Sequence, residues 1–220
     1  MSAAAVLSLF ADYRGMADSV ADKLVGYSKD DGGWRVAKSN KLVTISWRAS
    51  SEFPGYLYKG EGLLEMAPNA LWEFVKPTPD GLRVKWDRNV RAFQILQSLD
   101  EELSVCRTIT SSAAMGVISA RDFVDVVLVK RYDDGSIASN ATHVVHESCP
   151  PQSGYVRGFN HPCGCMCLPV PGEPNKTKMV TFFQTDLGGY LPRSLVDSFF
   201  PSTMAEFYSN LSKALTTLKP

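Results

Sequence analysis

The sequence has no excess of either charge, because 23 Lys and Arg balance 23 Asp and Glu over 220 residues. A protein that binds nucleic acid through its overall charge needs a basic excess, so the composition argues against a nucleic-acid partner. No apolar run approaches the roughly 18 residues of a membrane-spanning helix. The sequence also lacks internal repeats, low-complexity tracts and Gly/Ser-rich linkers, and we therefore expect one domain over residues 1–220.

The common signatures of enzymes are missing as well. There is no G-x-S-x-G, G-x-G-x-x-G or H-E-x-x-H motif. A cysteine nucleophile needs a histidine base, and His143 and His146, three positions apart on a strand-like segment, point to opposite faces. We expect Asp122 and Asp125 to be solvated or locally hydrogen-bonded. The sequence therefore predicts a protein that is not an enzyme, with His143 as the single candidate base.

Cysteine is scarce and odd in number, which excludes a disulfide-rich scaffold: the five are Cys106, Cys149, Cys163, Cys165 and Cys167. No basic residue precedes the apolar stretch at residues 3–11, so we expect a first helix there, not a signal peptide, and a reduced cytosolic protein.

The last three cysteines alternate along a predicted strand and so share a face. Structural zinc sites favour C-x2–4-C spacing with a second pair. We therefore predict inert thiols, with neither a metal nor a cofactor.

The sequence is rich in helix and strand patterns. Apolar residues recur three or four positions apart over residues 2–27 and from Pro192 to Leu218, which predicts two long helices, the second kinked or divided at Pro201. A short helix is expected from Pro68 to Val75. About nine strand-like runs lie between these helices. They span residues 34–37, 42–47, 56–64, 90–97, 103–109, 121–132, 136–145, 155–168 and 178–186.

These elements predict an α+β fold, in which a curved antiparallel sheet of about nine strands surrounds the long C-terminal helix. The pattern leaves open whether side chains fill the space between the sheet and the helix or whether a cavity remains.

Several segments resemble the StAR-related lipid transfer (START) domain family, in the family's order and over about residues 5–218. They are Lys85-Trp86-Asp87, Asn89-Val90, Ala120-Arg121-Asp122-Phe123-Val124, Lys176-Thr177-Lys178 and Asp186-Leu187-Gly188-Gly189-Tyr190-Leu191-Pro192. Residues 157–165 and 196–201 resemble the single-domain sterol subgroup most. The resemblance implies a helix-grip fold with one lipid in a buried cavity, gated by the loop at residues 111–119 and the C-terminal helix.

The resemblance also implies a function: a non-enzymatic, monomeric carrier of one sterol or bile acid that contacts membranes transiently. Three alternatives stay open. A phospholipid carrier would need a larger cavity, a helix-grip hydrolase or cyclase would need an acid–base pair in the cavity, and a scaffold would bind no lipid.

One departure from the family pattern bears on the ligand. Many cholesterol-binding members bury an acid and an arginine at the positions of Thr108 and Val127, so the cavity is expected to carry less charge here. Threonine hydroxyls would then bind the ligand hydroxyls, and Arg83 would bind a bile-acid carboxylate in a two-pronged arrangement. The predicted ligand contacts are Arg83, Trp86, Thr108, Thr110, Ser112, Met115, Val127, Val129, Phe199, Phe200, Met204 and Tyr208.

Overall fold

The computed structural model describes the backbone of residues 3–218 and the side chains of residues 12–192 and 194–218. The helices of this part are α1 (Ala3–Lys29), α2 (Pro68–Val75), α3 (Arg83–Trp86) and α4 (Arg193–Thr217). The strands are β1 (Arg35–Ser39), β2 (Thr44–Ala49), β3 (Tyr56–Leu64), β4 (Val90–Ser98), β5 (Leu103–Thr110), β6 (Arg121–Arg131), β7 (Ile137–His143), β8 (Val156–Arg157), β9 (Phe159–Asn160), β10 (Cys163–Val170), β11 (Glu173–Phe183) and β12 (Thr185–Asp186). Among the described helices, none has the length and apolar content required to span a bilayer.

The main sheet follows the order β1-β2-β3-β11-β10-β7-β6-β5-β4, and β8 pairs with β6 at its side. Neighbours along this path are antiparallel, whereas β8 is parallel to β6. The two short strands β9 and β12 form a separate pair. The predicted α+β fold, with its nine-stranded antiparallel path and long C-terminal helix, is confirmed.

Two predicted strands are divided in the structure: residues 178–186 belong to β11 and β12, and residues 155–168 form β8, β9 and β10. In residues 155–168, two positions account for the division. Gly158 separates the first two, and a Cβ atom there would lie only 2.3 Å from the ring of Phe123. Pro162 separates β9 from β10 and has no N–H to donate to a ladder. Close packing and a missing donor therefore divide a segment whose residue types favour extended backbone.

The two faces of β6 serve different layers because successive side chains of a strand point to opposite sides. The even-numbered Val124, Val126 and Leu128 pack with Tyr13, Ala17 and Ala21 of α1. The odd-numbered Arg121, Phe123, Asp125 and Val127 line the space beneath α4. The sheet thus separates an apolar layer under α1 from the candidate site under α4.

The C-terminal segment was predicted to be kinked or divided at Pro201, and the structure shows that it is not divided: α4 continues through the proline. Phe200 and Met204 on either side of the proline are buried, so packing of the apolar face offsets the hydrogen bond that proline cannot donate. Further along, the Tyr208 hydroxyl donates to the carbonyl oxygens of Gly60 and Met179, at 3.0 and 3.1 Å. The ring of Tyr208 lies 2.9–3.0 Å from where a Cβ atom would stand at positions 60 and 62 of β3, and the Thr181 hydroxyl and the Leu42 carbonyl lie closer still, so glycine fits best at both positions. This contact fastens the second half of α4 to the sheet.

Candidate ligand-binding cavity

A cavity of about 220 Å³ lies between the sheet and α4, which answers the question that the sequence left open. Its apolar walls come from Val90, Phe93, Ile118, Phe123, Val127, Ala141, Leu187, Phe199, Phe200, Met204 and Phe207. Its polar side chains are Arg83, Asp87, Asn89, Thr108, Thr110, Ser111, Arg121, Asp125, Ser139, Asn160, Thr185 and Thr203. Pro77, Ala113, Cys163, Phe182 and Phe183 complete the apolar part of the wall, which is the larger part. A mainly apolar wall with polar groups placed in it is typical of sites that bind largely apolar small molecules.

Asp125 is the most isolated polar group of the cavity. Its side chain is only 4 % exposed, and its Oδ2 accepts a hydrogen bond of 2.9 Å from Nδ2 of Asn160. Its Oδ1 has no hydrogen-bond partner among the described residues. Burial raises the pKa of Asp125 to about 7, while the Asn160 hydrogen bond and the charge of Arg157 act in the opposite direction. At pH 7 the carboxyl group of Asp125, on the cavity wall, is therefore protonated in about half of the molecules.

A usable signal for Asp125 is present in the sequence, but we interpreted it differently. It is a lone acid within the apolar run of β6 and lies two positions before Val127, on the same face. Of the two alternatives predicted for Asp122 and Asp125, solvation or local hydrogen bonding, the structure shows the second, since both side chains are buried and hydrogen-bonded. Asp122 points to the opposite face and binds the guanidinium groups of Arg107 and Arg157.

Arg83 does line the cavity, as predicted, but a carboxylate already neutralises it. Its Nε lies 3.1 Å from Oδ2 of Asp87, one turn further along the chain, and its Nη1 donates to the carbonyl of Val75 at 3.3 Å. The Asp87 side chain is 2 % exposed and that of Arg83 is 19 % exposed. These contacts use two of the five N–H groups of the guanidinium, which leaves donors for a further anion at a partly exposed position.

Arg121 is the second arginine on the cavity wall, and no carboxylate lies within ion-pair distance among the described residues. Instead it donates to three carbonyl groups: Nε to Leu187, Nη1 to Ser119 and Nη2 to Gly188, at 3.1, 2.5 and 3.4 Å. Ser119 ends the predicted gating loop, whereas Leu187 and Gly188 precede α4. One buried side chain therefore connects the two segments that the resemblance implies to move.

The loop at residues 111–119 projects apolar side chains away from the protein. Met115 is fully exposed and Val117 is 61 % exposed, whereas Ile118 is buried and anchors the loop. Ala114 and Met115 have positive φ angles of 49° and 54°, a left-handed conformation that costs a residue with a side chain roughly 1–2 kcal/mol. The exposed apolar tip is thus held in a strained backbone conformation.

Seven of the predicted ligand contacts line the cavity, namely Arg83, Thr108, Thr110, Val127, Phe199, Phe200 and Met204. Thr108 keeps its hydroxyl without a partner within the described residues, but the Thr110 hydroxyl is bonded to the backbone N–H and carbonyl of Arg121. Thr110 is therefore less suited to bind a ligand hydroxyl than its position in the sequence indicates.

The other five predicted contacts lie outside the cavity wall. Trp86 is buried and donates from its indole nitrogen to the carbonyl of Phe74 at 2.9 Å, and Tyr208 is buried against β3. Ser112 and Met115 are exposed on the loop, and Val129 is half-buried beyond Val127 on β6. A helix or strand pattern indicates which side chains face inward, but not which of them are covered by other side chains.

The three cysteines of β10 are buried on one side of the sheet, as their alternation predicts. Burial raises the pKa of the Cys163 and Cys167 thiols well above the usual range, so these are neutral thiols with little nucleophilic character. Within residues 3–218, no cluster of three or more His, Cys, Asp or Glu side chains is arranged to hold a metal ion.

The candidate base His143 pairs across the sheet with Asp125, but its Nδ1 contacts the backbone oxygen of Asn160 at 2.9 Å. Its ring also packs edge-on against Phe159 and His161, with ring centroids at 5.6 and 5.3 Å. The cavity wall does not include His143. No hydrogen-bonded acid–base pair facing the cavity is present among the described residues.

The START domain family matches residues 16–220 through its sequence model. A mouse protein, StAR-related lipid transfer protein 5, is 61 % identical over 198 residues, covering 90 % of this chain and 93 % of the mouse protein. Its human counterpart is 58 % identical over 200 residues, covering 91 % and 94 %. The solved structure of human StAR-related lipid transfer protein 5 superposes with a TM-score of 0.90 at 56 % identity, covering 94 % of this chain and 98 % of that one.

These findings define the class of protein: the chain belongs to the START domain family and is a lipid-binding and transfer protein. The particular relatives that it resembles are the StAR-related lipid transfer proteins 5 of mouse and human. Both relatives are lipid transfer proteins.

Proposed function

We propose that the protein carries one sterol or bile acid in the cavity under α4, and that it works in the cytosol as a monomer with one domain over residues 1–220. The observation that carries this proposal is the cavity itself, whose walls are mainly aromatic and aliphatic. Transfer of a steroid from water to such walls gains about 0.8 kcal/mol for each buried CH2 group. A bilayer offers nearly the same gain, so the ligand can move between the protein and a membrane.

Access requires part of the protein to move. The cavity volume of about 220 Å³ lies below the roughly 300–1,000 Å³ of sites for drug-sized ligands, so a steroid needs outward displacement of the loop at residues 111–119, of α4, or of both. The loop has a strained backbone at Met115 and ends at Ser119, which accepts from Arg121. Met115 and Val117 are exposed and would contact the apolar part of a membrane during transfer.

A bile acid adds a carboxylate, which cannot be buried alone. We propose that it binds at Arg83, where three N–H groups are not used by Asp87 and Val75 and where 19 % exposure of the side chain lets water screen the charge. The phenyl rings of Phe93 and Phe207 flank the guanidinium, with centroids at 5.4 and 5.5 Å, and hold its plane in place. A sterol needs no such partner.

Calorimetric titration with cholesterol, an oxysterol and cholate tests the proposal, and we expect one-to-one binding. Arg83→Leu alone would leave the buried Asp87 unpaired, a change that costs about 3–5 kcal/mol in buried ion pairs. The test variant is therefore Arg83→Leu combined with Asp87→Asn, with Asp87→Asn alone as its control. We expect the double variant to bind cholate about tenfold more weakly than the control and to bind sterol unchanged.

Equal losses for cholate and sterol would remove Arg83 from the ligand site. A two-chain lipid that copurifies with the protein in native mass spectrometry would instead favour a phospholipid carrier. A ligand that is chemically altered after long incubation would indicate a hydrolase or cyclase. Absence of binding for every steroid would leave a scaffold without a ligand and would refute the proposal.

A further inference from the structure

The buried carboxyl group of Asp125 is only half satisfied by the protein. Asp125 lies on the cavity wall, where its Oδ2 accepts from Asn160 and its buried Oδ1 has no hydrogen-bond partner within the described residues. A buried polar atom without a partner destabilises the folded state, so buried carboxyl oxygens are normally paired. An unpaired oxygen on the wall of a ligand cavity therefore points to a group that the ligand brings.

The surrounding contacts fix the direction of this carboxyl group. Oδ1 of Asn160 accepts from the Thr185 hydroxyl at 2.7 Å, so Nδ2 of Asn160 is turned towards Asp125. The backbone oxygen of Asn160 contacts the His143 ring, which holds the strand β9 in place. Neither neighbour can rotate to bind Oδ1 without losing its own hydrogen bond.

We propose that Asp125, positioned by Asn160, binds a hydroxyl group of the steroid, so that the cavity selects hydroxylated steroids over analogues that lack this hydroxyl. This inference rests on the proposed function, because it takes a steroid as the ligand. The acid and the arginine of the family pattern correspond to Thr108 and Val127 in this chain. Asp125 lies at neither position, so the proposal assigns ligand binding to a residue outside that pattern.

The chemistry of a hydroxyl suits this position. An alcohol donates to a carboxylate oxygen and accepts from a carboxylic acid, so it pairs with Asp125 in either protonation state. The charged and titratable groups that face Asp125 are Arg157 on β8, Cys106 on β5, His143 on β7 and Cys163 on β10. Arg157 is already bound to Asp122, so no uncommitted cation is available to hold a second carboxylate beside Asp125 within the described residues. A bile-acid carboxylate is therefore directed to Arg83, and a ring hydroxyl to Asp125.

The test compares two steroid acids that differ by one hydroxyl, lithocholate and 5β-cholanate, together with cholesterol and its analogue without the 3-hydroxyl. The wild-type protein should bind the hydroxylated member of each pair about tenfold more tightly. Asp125→Val should abolish this preference, and Asp125→Asn should retain most of it because an amide still forms hydrogen bonds. Asp133→Val, at an exposed acid in the turn between β6 and β7 and away from the cavity, is the control and should leave the preference unchanged.

The outcomes separate the two proposals. Binding of both members of each pair with equal affinity by the wild-type protein refutes the role of Asp125 but keeps the carrier function. Loss of binding for all four steroids refutes both.

If Asp125→Val fails to fold, infrared difference spectra of the wild-type protein replace it, with Asp125→Asn used to assign the carboxyl band. A shift of that band with lithocholate but not with 5β-cholanate supports the proposal. An identical response to both ligands overturns it.

Discussion

The buried carboxyl group of Asp125 should make the stability of the protein depend on pH in an unusual direction. A buried acid that is paired with a cation has a lowered pKa, and the folded protein then becomes less stable as the pH falls. For Asp125 the shift has the opposite sign, because burial raises its pKa from 3.8 to about 7. Between these two pH values the folded state holds a proton that the unfolded chain has released. Stability therefore falls as the pH rises from about 4 and reaches its lower limit above pH 7.

The magnitude follows from the two pKa values. A difference of about three pKa units corresponds to roughly 4 kcal/mol for the complete titration. Of this, roughly 3 kcal/mol is lost between pH 5 and pH 8, because a part of the titration of the unfolded chain is complete below pH 5. For a protein of this size, a change of 1 kcal/mol shifts the melting temperature by about 2–4 °C, so the expected shift is about 6–12 °C.

Thermal unfolding of the wild-type protein and of Asp125→Asn over pH 5–8.5 measures this effect. Asparagine cannot titrate, so the two melting temperatures should diverge as the pH rises, with the variant the more stable at pH 8. Other titratable groups contribute equally to the stability of both proteins, so their contributions cancel in the difference between the two melting temperatures. His161 is one example, because burial and the charge of His143 lower its pKa and its contribution to stability rises with pH. A difference that stays constant over the range would show that Asp125 is ionised throughout, and the reasoning would fail.

Two further predictions concern the helix α4 and the loop at residues 111–119. Tyr208→Phe should lower the free energy of unfolding by about 1–2 kcal/mol, because the hydroxyl contacts two buried carbonyls. The control Tyr190→Phe, at a fully exposed side chain, should change the free energy of unfolding little. Denaturant unfolding measures both variants, and equal effects would contradict the role of Tyr208 in fastening α4 to the sheet. Met115→Asp should slow sterol transfer between vesicles severalfold without changing sterol affinity, because Met115 is fully exposed and a charge opposes membrane contact. The control is Leu63→Asp on β3, which is 59 % exposed, and similar slowing by both variants would contradict a specific role of the loop.

The order and type of the elements could be predicted from the sequence because most of the signals are local. Pro68 and Pro77 bound a short helix whose observed range, Pro68–Val75, is the predicted one, and β3 was likewise predicted with its observed bounds. Gly158 and Pro162 divide a predicted strand because of a tertiary contact with Phe123 and a missing donor. Pro201 does the opposite: its local preference is overridden by the buried face of α4.

The cavity could be predicted only in part. Alternation along β6 and the apolar spacing of α4 indicate which side chains face inward, and this placed Val127, Phe200 and Met204 correctly on the wall. Whether an inward residue is covered depends on packing between distant segments, which is why Tyr208 was misplaced. Pairing is equally non-local: nothing in the neighbouring sequence shows that Asp87 neutralises Arg83 or that Asp125 keeps one oxygen free.

The polar groups of the cavity differ in whether the protein already uses their hydrogen-bonding capacity or leaves it for a ligand. The hydroxyl of Thr110 and the guanidinium of Arg121 are bonded to the backbone around the loop and before α4, so they hold the gating segments together. A ligand that pushes these segments apart must lengthen the bonds from Arg121 to Ser119 and Leu187, and each bond to a charged group contributes about 1.5–3 kcal/mol. The opening that the proposed function requires is therefore opposed by a few kcal/mol. Arg121 thus stabilises the arrangement in which the loop at residues 111–119 lies against the segment before α4.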